Sequence, residues 1–210
     1  MQQTLLNPLA QGLSLTELAH MASVCTRCEL SATRIQAVFS DGNPQASIML
    51  VGEGPGQNED ETGLPFVGRA GQLLTQMLAS VGLDRQRDLY ICNVVKCRPP
   101  QNRKPKPAEM AACFPYLEAQ IQAVQPKIIL LAGATAVQDV LKTKQGITQI
   151  RGQWFETPYR AKAMPIFHPS YLLRNPSSKP GSPKALMLAD LETVKLEMDK
   201  LGIPLGAYPA

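Results

Sequence analysis

Ile48-Met-Leu-Val-Gly-Glu-Gly-Pro-Gly-Gln-Asn-Glu-Asp-Glu-Thr-Gly-Leu-Pro-Phe-Val-Gly-Arg-Ala-Gly-Gln-Leu-Leu74 is an apolar run that breaks into a glycine-rich loop and resumes as a helix. Ile48 to Val51 are consecutive apolar residues, the pattern of a strand buried on both faces. Leu73, Leu74, Met77, Leu78 and Val81 recur at helical spacing. The segment between them is expected to be loop throughout. Its glycines, Gly52, Gly54, Gly56, Gly63, Gly68 and Gly71, let backbone approach a ligand closely and leave N–H groups free to point inward. In an open parallel sheet such a loop lies beyond the carboxyl ends of the strands, where ligands bind.

Two phosphate-binding motifs fail on these residues. A G-x-G-x-x-G fingerprint starting at Gly52 and Gly54 meets Gln57 at its last position. Gly63 to Ala70 has P-loop spacing, but Arg69 replaces the phosphate-reaching lysine and Ala70 removes the hydroxyl that holds magnesium. A nucleoside triphosphate site is therefore not expected.

The 210 residues suit one domain with a full core. Further strands are predicted at Ser47–Gly52, Leu89–Lys96, Lys127–Ala132 and Ala163–Phe167, separated mostly by helical patterns, which argues an α/β fold with a parallel sheet. A short helix from Ser14 to Val24, with Ser14 as N-cap, delivers Cys25 and Cys28. A helix from Pro107 to Val124 should kink at Pro115, and Gly133 to Leu141 reads as another helix. Residues 146–159 read as a turn-rich, hairpin-like excursion. The last helix has Ser182 as N-cap, Pro183 at its first position, and Leu188, Leu191, Val194, Met198 and Leu201 on its apolar face.

No segment approaches the roughly 20 uninterrupted apolar residues of a membrane helix, and the N-terminus lacks the regions of a signal peptide. A soluble, cytosolic protein is expected. The net charge of +4 permits nucleic-acid binding without demanding it. Arg98, Arg103, Lys104 and Lys106 crowd one proline-rich loop, and Arg174, Lys179 and Lys184 fall in another. Taken alone, both are equally readable as solvated loops.

Without export signals the five cysteines are not expected to form disulfides. Cys92 lies in an apolar run and reads as a small hydrophobe. Cys25 and Cys28 form a C-x2-C pair able to hold one edge of a metal site, which Cys97 and Cys113 would complete. The wide second spacing departs from a zinc ribbon, and spacing alone leaves zinc and an iron–sulfur cluster both open.

Other residues stand out against their surroundings. Asn93 interrupts a strand of Tyr, Ile and Val residues; a buried asparagine ordinarily satisfies neighbouring backbone, yet its amide offers a donor and an acceptor side by side. Phe66 sits in the glycine-rich loop away from any apolar stripe. His168 follows a strand and leads into Pro169-Ser-Tyr-Leu-Leu-Arg174; a lone histidine there is more often structural than catalytic. His20 matches no motif.

Gly52-Glu-Gly-Pro-Gly56, Glu59-Asp60 and Gly63-Leu-Pro-Phe66-Val-Gly-Arg-Ala-Gly71, followed by Asn93 and by His168 to Arg174, resemble in order the motifs of the uracil-DNA glycosylase superfamily, most closely its iron–sulfur family 4. The resemblance runs from Cys25 to the Arg174 loop. It implies a three-layer fold with a central, mostly parallel four-stranded sheet flanked by helices, and a [4Fe–4S] cluster on Cys25, Cys28, Cys97 and Cys113 that ties residues 25–28 to residues 97–113. It implies a DNA-repair hydrolase that flips uracil from single- or double-stranded DNA, cuts its N-glycosidic bond and leaves an abasic site, acting as a monomer.

In that family Asn93 would read the O4 and N3–H edge of uracil, Phe66 would stack on the base, and His168 would donate to O2 of the departing anion. Gly54 stands where the best-known branch places an aspartate, so Glu53 is the nearest carboxylate to orient water. The amides of Gly54 to Gly56 would add hydrogen bonds to the base, and Glu59 would sit near uracil C5. Ser170, Tyr171, Leu172, Leu173 and Arg174 would form a DNA-binding wedge entering the minor groove. A sister group that cross-links to DNA carries a histidine in a loop after the second strand; residues 96–105 have none, so turnover is expected. A nucleic-acid clamp without chemistry and a small-molecule hydrolase or transferase of α/β type are the competing readings.

Overall fold

The computed structural model describes Leu9 and residues 12–204. A six-stranded sheet in the order β1-β3-β2-β4-β6-β5 forms the middle layer. Its strands are β1 (Asp41–Gly42), β2 (Ile48–Gly52), β3 (Leu89–Asn93), β4 (Ile128–Ala132), β5 (Phe155–Glu156) and β6 (Lys162–Ile166). The four central strands are parallel, as expected, with Ile48 opposite both Leu89 and Ile128 and with Ala132 opposite Ile166. Two two-residue strands pair antiparallel at the edges, β1 on β3 and β5 on β6. Strands this short leave no periodicity to read.

Every residue of β2, β3 and β4 is buried because helices cover both faces. Ile48, Leu50, Ile91, Leu130 and Ile166 pack on one face with Leu74 and Leu78 of α3 (Arg69–Ser80) and Leu191 and Val194 of α8 (Pro183–Lys200). Met49, Val51, Cys92 and Leu131 pack on the other with Leu18 of α1 (Leu15–Ser23), Leu117 and Ile121 of α4 (Pro107–Val124) and Val137 of α5 (Ala134–Leu141). The result is a three-layer α/β sandwich. No helix among the described residues is long and apolar enough to cross a membrane.

The caps read from sequence are present. Glu17 N–H donates to Ser14 Oγ, the Glu17 carboxylate returns to Ser14 N–H, and Ala185 N–H donates to Ser182 Oγ. Four expectations change. The segment after β2 is not all loop: α2 (Gln57–Thr62) forms within it. Strand β3 ends at Asn93, short of Lys96. Residues 146–159 form the short helix α6 (Ile147–Ile150) and the edge strand β5. Leu201 lies past the end of α8 and is exposed, and at the start of the helix Met187 is fully buried while Leu188 is only partly covered. Helix α4 runs as one element through Pro115.

Because the chain runs from β2 to β3 on one side and then returns to place β4 on the other, the strand order reverses between β2 and β4, which remain parallel. The crevice beyond their carboxyl ends is where such sheets bind ligands.

Candidate active site

A cleft of about 470 Å³ opens there, walled by residues 53–59, by Phe66 and residues 68–71, by Asn93, and by His168 and Ser170. Three sequence motifs more than 20 residues apart thus meet in one pocket. Helix α7 (Pro169–Arg174) carries the third.

Asn93 ends β3, paired with Gly52 of β2, and is 2% exposed. Its side-chain amide forms no hydrogen bond with any described residue, although buried amides are normally paired. The backbone around it is fixed instead: Lys96, itself fully buried, sends Nζ to the Asn93 carbonyl at 2.6 Å. Gly52 has no room for a side chain, since a Cβ would lie 2.4 Å from Asn93 Oδ1 and 2.5 Å from Phe66 Cζ. Asn93 and Phe66 therefore converge over a bare strand end. The Phe66 ring, in turn, is 5.8 Å from that of His168.

His168 caps α7. The Ser170 N–H donates to its Nδ1 at 3.2 Å, and Ser170 Oγ lies 2.8 Å from the same nitrogen. A backbone N–H can only donate, so Nδ1 is an acceptor and the ring proton sits on Nε2. Burial, reinforced by the charge of Arg174, pulls the His168 pKa down to about 4, with Glu59 opposing. The ring is neutral at pH 7, with Nε2–H as its free donor.

Glu53 follows β2 and accepts a short hydrogen bond from the hydroxyl of Thr135, a buried residue in the first turn of α5. Nothing in composition or periodicity singles out Thr135; the available signal is a hydroxyl three residues past the end of a parallel strand. Glu59 lines the cleft, but its oxygens are engaged by three backbone N–H groups, those of Gly56 (3.1 Å), Val67 (3.0 Å) and Gly68 (2.8 Å). It clasps the two halves of the loop together. Pro55 has no N–H and that of Gly56 is taken by Glu59, which leaves Gly54 as the amide donor of the expected trio.

The wedge requires correction. Leu172 is 1% exposed and belongs to the core beside α8, because the segment is helical and points that residue inward. Tyr171 is half-buried with its ring 5.1 Å from that of Phe167. Ser170 supports the histidine. Leu173 and Arg174 remain exposed. Of the two basic loops, the first is largely paired: Arg103 makes a bidentate bridge to the buried Glu109, holding that carboxyl down at about 2, and Lys106 pairs with Glu29. Arg174 and Lys179 have no ion pair among the described residues.

Cys25, Cys28, Cys97 and Cys113 line a single small cavity with Arg34, Lys96 and Tyr116, and none is in a disulfide. Arg34 Nη1 donates to Cys97 Sγ at 2.9 Å and the Lys96 N–H to Cys113 Sγ at 3.3 Å. Burial raises the Cys113 thiol to about 12. As they stand, no three His, Cys, Asp or Glu side chains among the described residues are gathered closely enough to chelate one ion. Cys92 is buried in the sheet, away from this cavity.

A sequence model described as the uracil DNA glycosylase superfamily matches residues 39–192. The type-4 uracil-DNA glycosylase of Thermotoga maritima is 48% identical over 179 residues, covering 85% of this chain and 91% of that protein. Those of Sulfurisphaera tokodaii and Archaeoglobus fulgidus are 43% and 41% identical, over 78% of this chain in each case and 78% and 85% of theirs. With every residue that lines the cleft inside the matched region, the chain belongs to the uracil-DNA glycosylase superfamily and, within it, to the type-4 uracil-DNA glycosylases.

Proposed function

We propose that this enzyme hydrolyses the N-glycosidic bond of uracil in DNA, drawing the base out of the stack, releasing it free and leaving an abasic site. The observation that carries the reading is the buried amide of Asn93, without a partner among the described residues and facing the same cleft as Phe66 and His168. A ligand that both accepts and donates through adjacent atoms would satisfy it, as the O4 and N3–H edge of uracil does. Cytosine presents an amino donor and an unprotonated N3, the reverse order, which the amide orientation that pairs with uracil does not match.

Bond cleavage leaves negative charge on the base and oxocarbenium character on the sugar. His168 Nε2–H is a neutral donor for O2, and the Ser170 N–H keeps that proton on Nε2 by engaging Nδ1. Phe66 supplies a face for the base, with the Gly54 N–H a further donor. Glu53, oriented by Thr135, holds water for the anomeric carbon. Leu173 fills the gap in the stack and Arg174 meets a phosphate, on single- or double-stranded DNA.

Cys25, Cys28, Cys97 and Cys113 would hold a [4Fe–4S] cluster: four soft donors share one cavity, two of them already accepting hydrogen bonds. Its role is structural, tying residues 25–28 to residues 97–113 within a single domain. The enzyme works as a monomer in the cytoplasm.

The test is an oligonucleotide with one uracil, incubated with enzyme and treated with alkali. Strand scission at the uracil, absent for the matching thymine or cytosine strand, is expected. An intact strand that is still bound would make the protein a clamp without chemistry.

A further inference from the structure

We infer that Arg85 is a positioning residue for base excision, holding Phe66 in the conformation that presents its ring to the base. The inference rests on the reading of Phe66 as the stacking surface. Phe66 has φ of 55°, in the left-handed region that a bulky side chain avoids. Such a conformation persists only where its surroundings over-determine it. Glu59 holds the Val67 N–H beyond Phe66 at 3.0 Å, and both carbonyls that flank the residue are held by one guanidinium. Arg85, in the connection between α3 and β3, donates from Nη1 to the Phe66 carbonyl at 2.8 Å and from Nη2 to the Pro65 carbonyl at 3.0 Å. These two peptide units flank the Phe66 Cα, so the fork fixes both dihedrals at once.

The fork is itself anchored on two sides. Nη2 also meets Asp41 Oδ2 at 2.8 Å and Nη1 meets Thr75 Oγ1 of α3 at 3.1 Å. Asp41 belongs to the edge strand β1, whose pairing with β3 brings it there. Arg85 Nε is buried without a partner among the described residues, a cost accepted where the position of the two terminal nitrogens decides the arrangement. On the opposite side Gly71 leaves space for the Phe66 carbonyl, since a Cβ there would lie 1.8 Å from that oxygen. Arg85 does not line the cleft. Its influence passes through Phe66, whose ring packs on Gly52 and beside His168. Lysine would carry the same charge but lacks the planar fork that engages both carbonyls, Asp41 and Thr75 at once.

Single-turnover uracil release is measured for Arg85→Lys, Phe66→Ala and the double variant, together with inhibition by free uracil and affinity for the same duplex without uracil. Arg85→Lys should slow release by roughly 10- to 100-fold, the loss expected when a binding surface shifts by about 1 Å. It should weaken inhibition by uracil while leaving affinity for the uracil-free duplex unchanged. In the Phe66→Ala background the same substitution should add nothing, because its target has gone. Multiplying effects in the double variant would overturn the role of Arg85. Phe66→Ala at full speed would instead overturn the stacking reading beneath it. Should Arg85→Lys fail to fold, Asp41→Asn loosens the fork with the guanidinium intact and must give the same non-additivity with Phe66→Ala.

Discussion

Replacing Gly52 by alanine adds one methyl group where the pocket has least room. The new Cβ would stand 2.4 Å from Asn93 Oδ1 and 2.5 Å from Phe66 Cζ, whereas ordinary contact begins at 3.4 Å. Each side chain must therefore retreat by about 1 Å, and neither has solvent behind it, at 2% and 5% exposure. Overpacking of this kind costs about 1–3 kcal/mol of stability. A displacement of about 1 Å in the groups that hold a reacting base costs on the order of 100-fold in rate. Gly52→Ala should therefore remain folded, melt at a lower temperature, and excise uracil about 100-fold more slowly under single-turnover conditions. Uracil excision at the wild-type rate by a folded Gly52→Ala protein would mean that Asn93 and Phe66 do not grip the base.

His168→Ala should slow uracil release by about 10² to 10³, as loss of an oxyanion donor does, with DNA affinity retained. The wild-type rate should show no inflection near pH 6.5, because His168 stays neutral down to about pH 4, where a proton on Nδ1 would break the hydrogen bond from the Ser170 N–H that orients the ring. Stability responds differently: between about pH 6.5 and 4 the unfolded chain binds a proton that the folded one refuses, so this group's contribution is complete above 6.5 and declines as pH falls. Leu173→Ala should weaken binding or excision in duplex DNA with little change in melting temperature, whereas Leu172→Ala, buried beside α8, should cost about 2–5 kcal/mol of stability; guanidinium denaturation and binding titrations separate the two. Cys97→Ala should lower bound iron and folded yield, and Cys92→Ala should leave iron content unchanged, as measured by metal analysis of anaerobically purified protein.

The central sheet was legible because Ile48–Val51 and the matching runs are buried on both faces and so are apolar without a break. Asn93 was legible for the converse reason, an amide in a buried strand. Helix α2 was not. Gln57 to Thr62 is polar at every position, and tertiary bonds hold it: Glu59 to its own N-cap and to residues 67–68, and Asp60 to the segment before it. Leu172 misled because an exposed wedge and the inner face of a short helix contain the same residue types; only the helical phase of α7 separates Leu172 from Leu173. Thr135 and Arg85 act through hydrogen bonds to partners 82 and 19 residues away, a relation that composition and periodicity do not carry.

Asp60, nearly fully buried, accepts from the N–H groups of Ile35 at 2.9 Å and Gln36 at 3.3 Å, while the neighbouring Arg34 reaches Cys97 Sγ. Three consecutive residues thus join the cysteine cavity to the helix that carries Glu59. Two of the three ties are made by backbone, which any residue except proline supplies, and the Ile35 side chain is 67% exposed. Evolution is therefore free with the identity of Ile35 and bound by the length of the segment. Substitutions there should accumulate among relatives, whereas a one-residue insertion or deletion would move Arg34 off Cys97 or the amides off Asp60, and lineages carrying one should be missing.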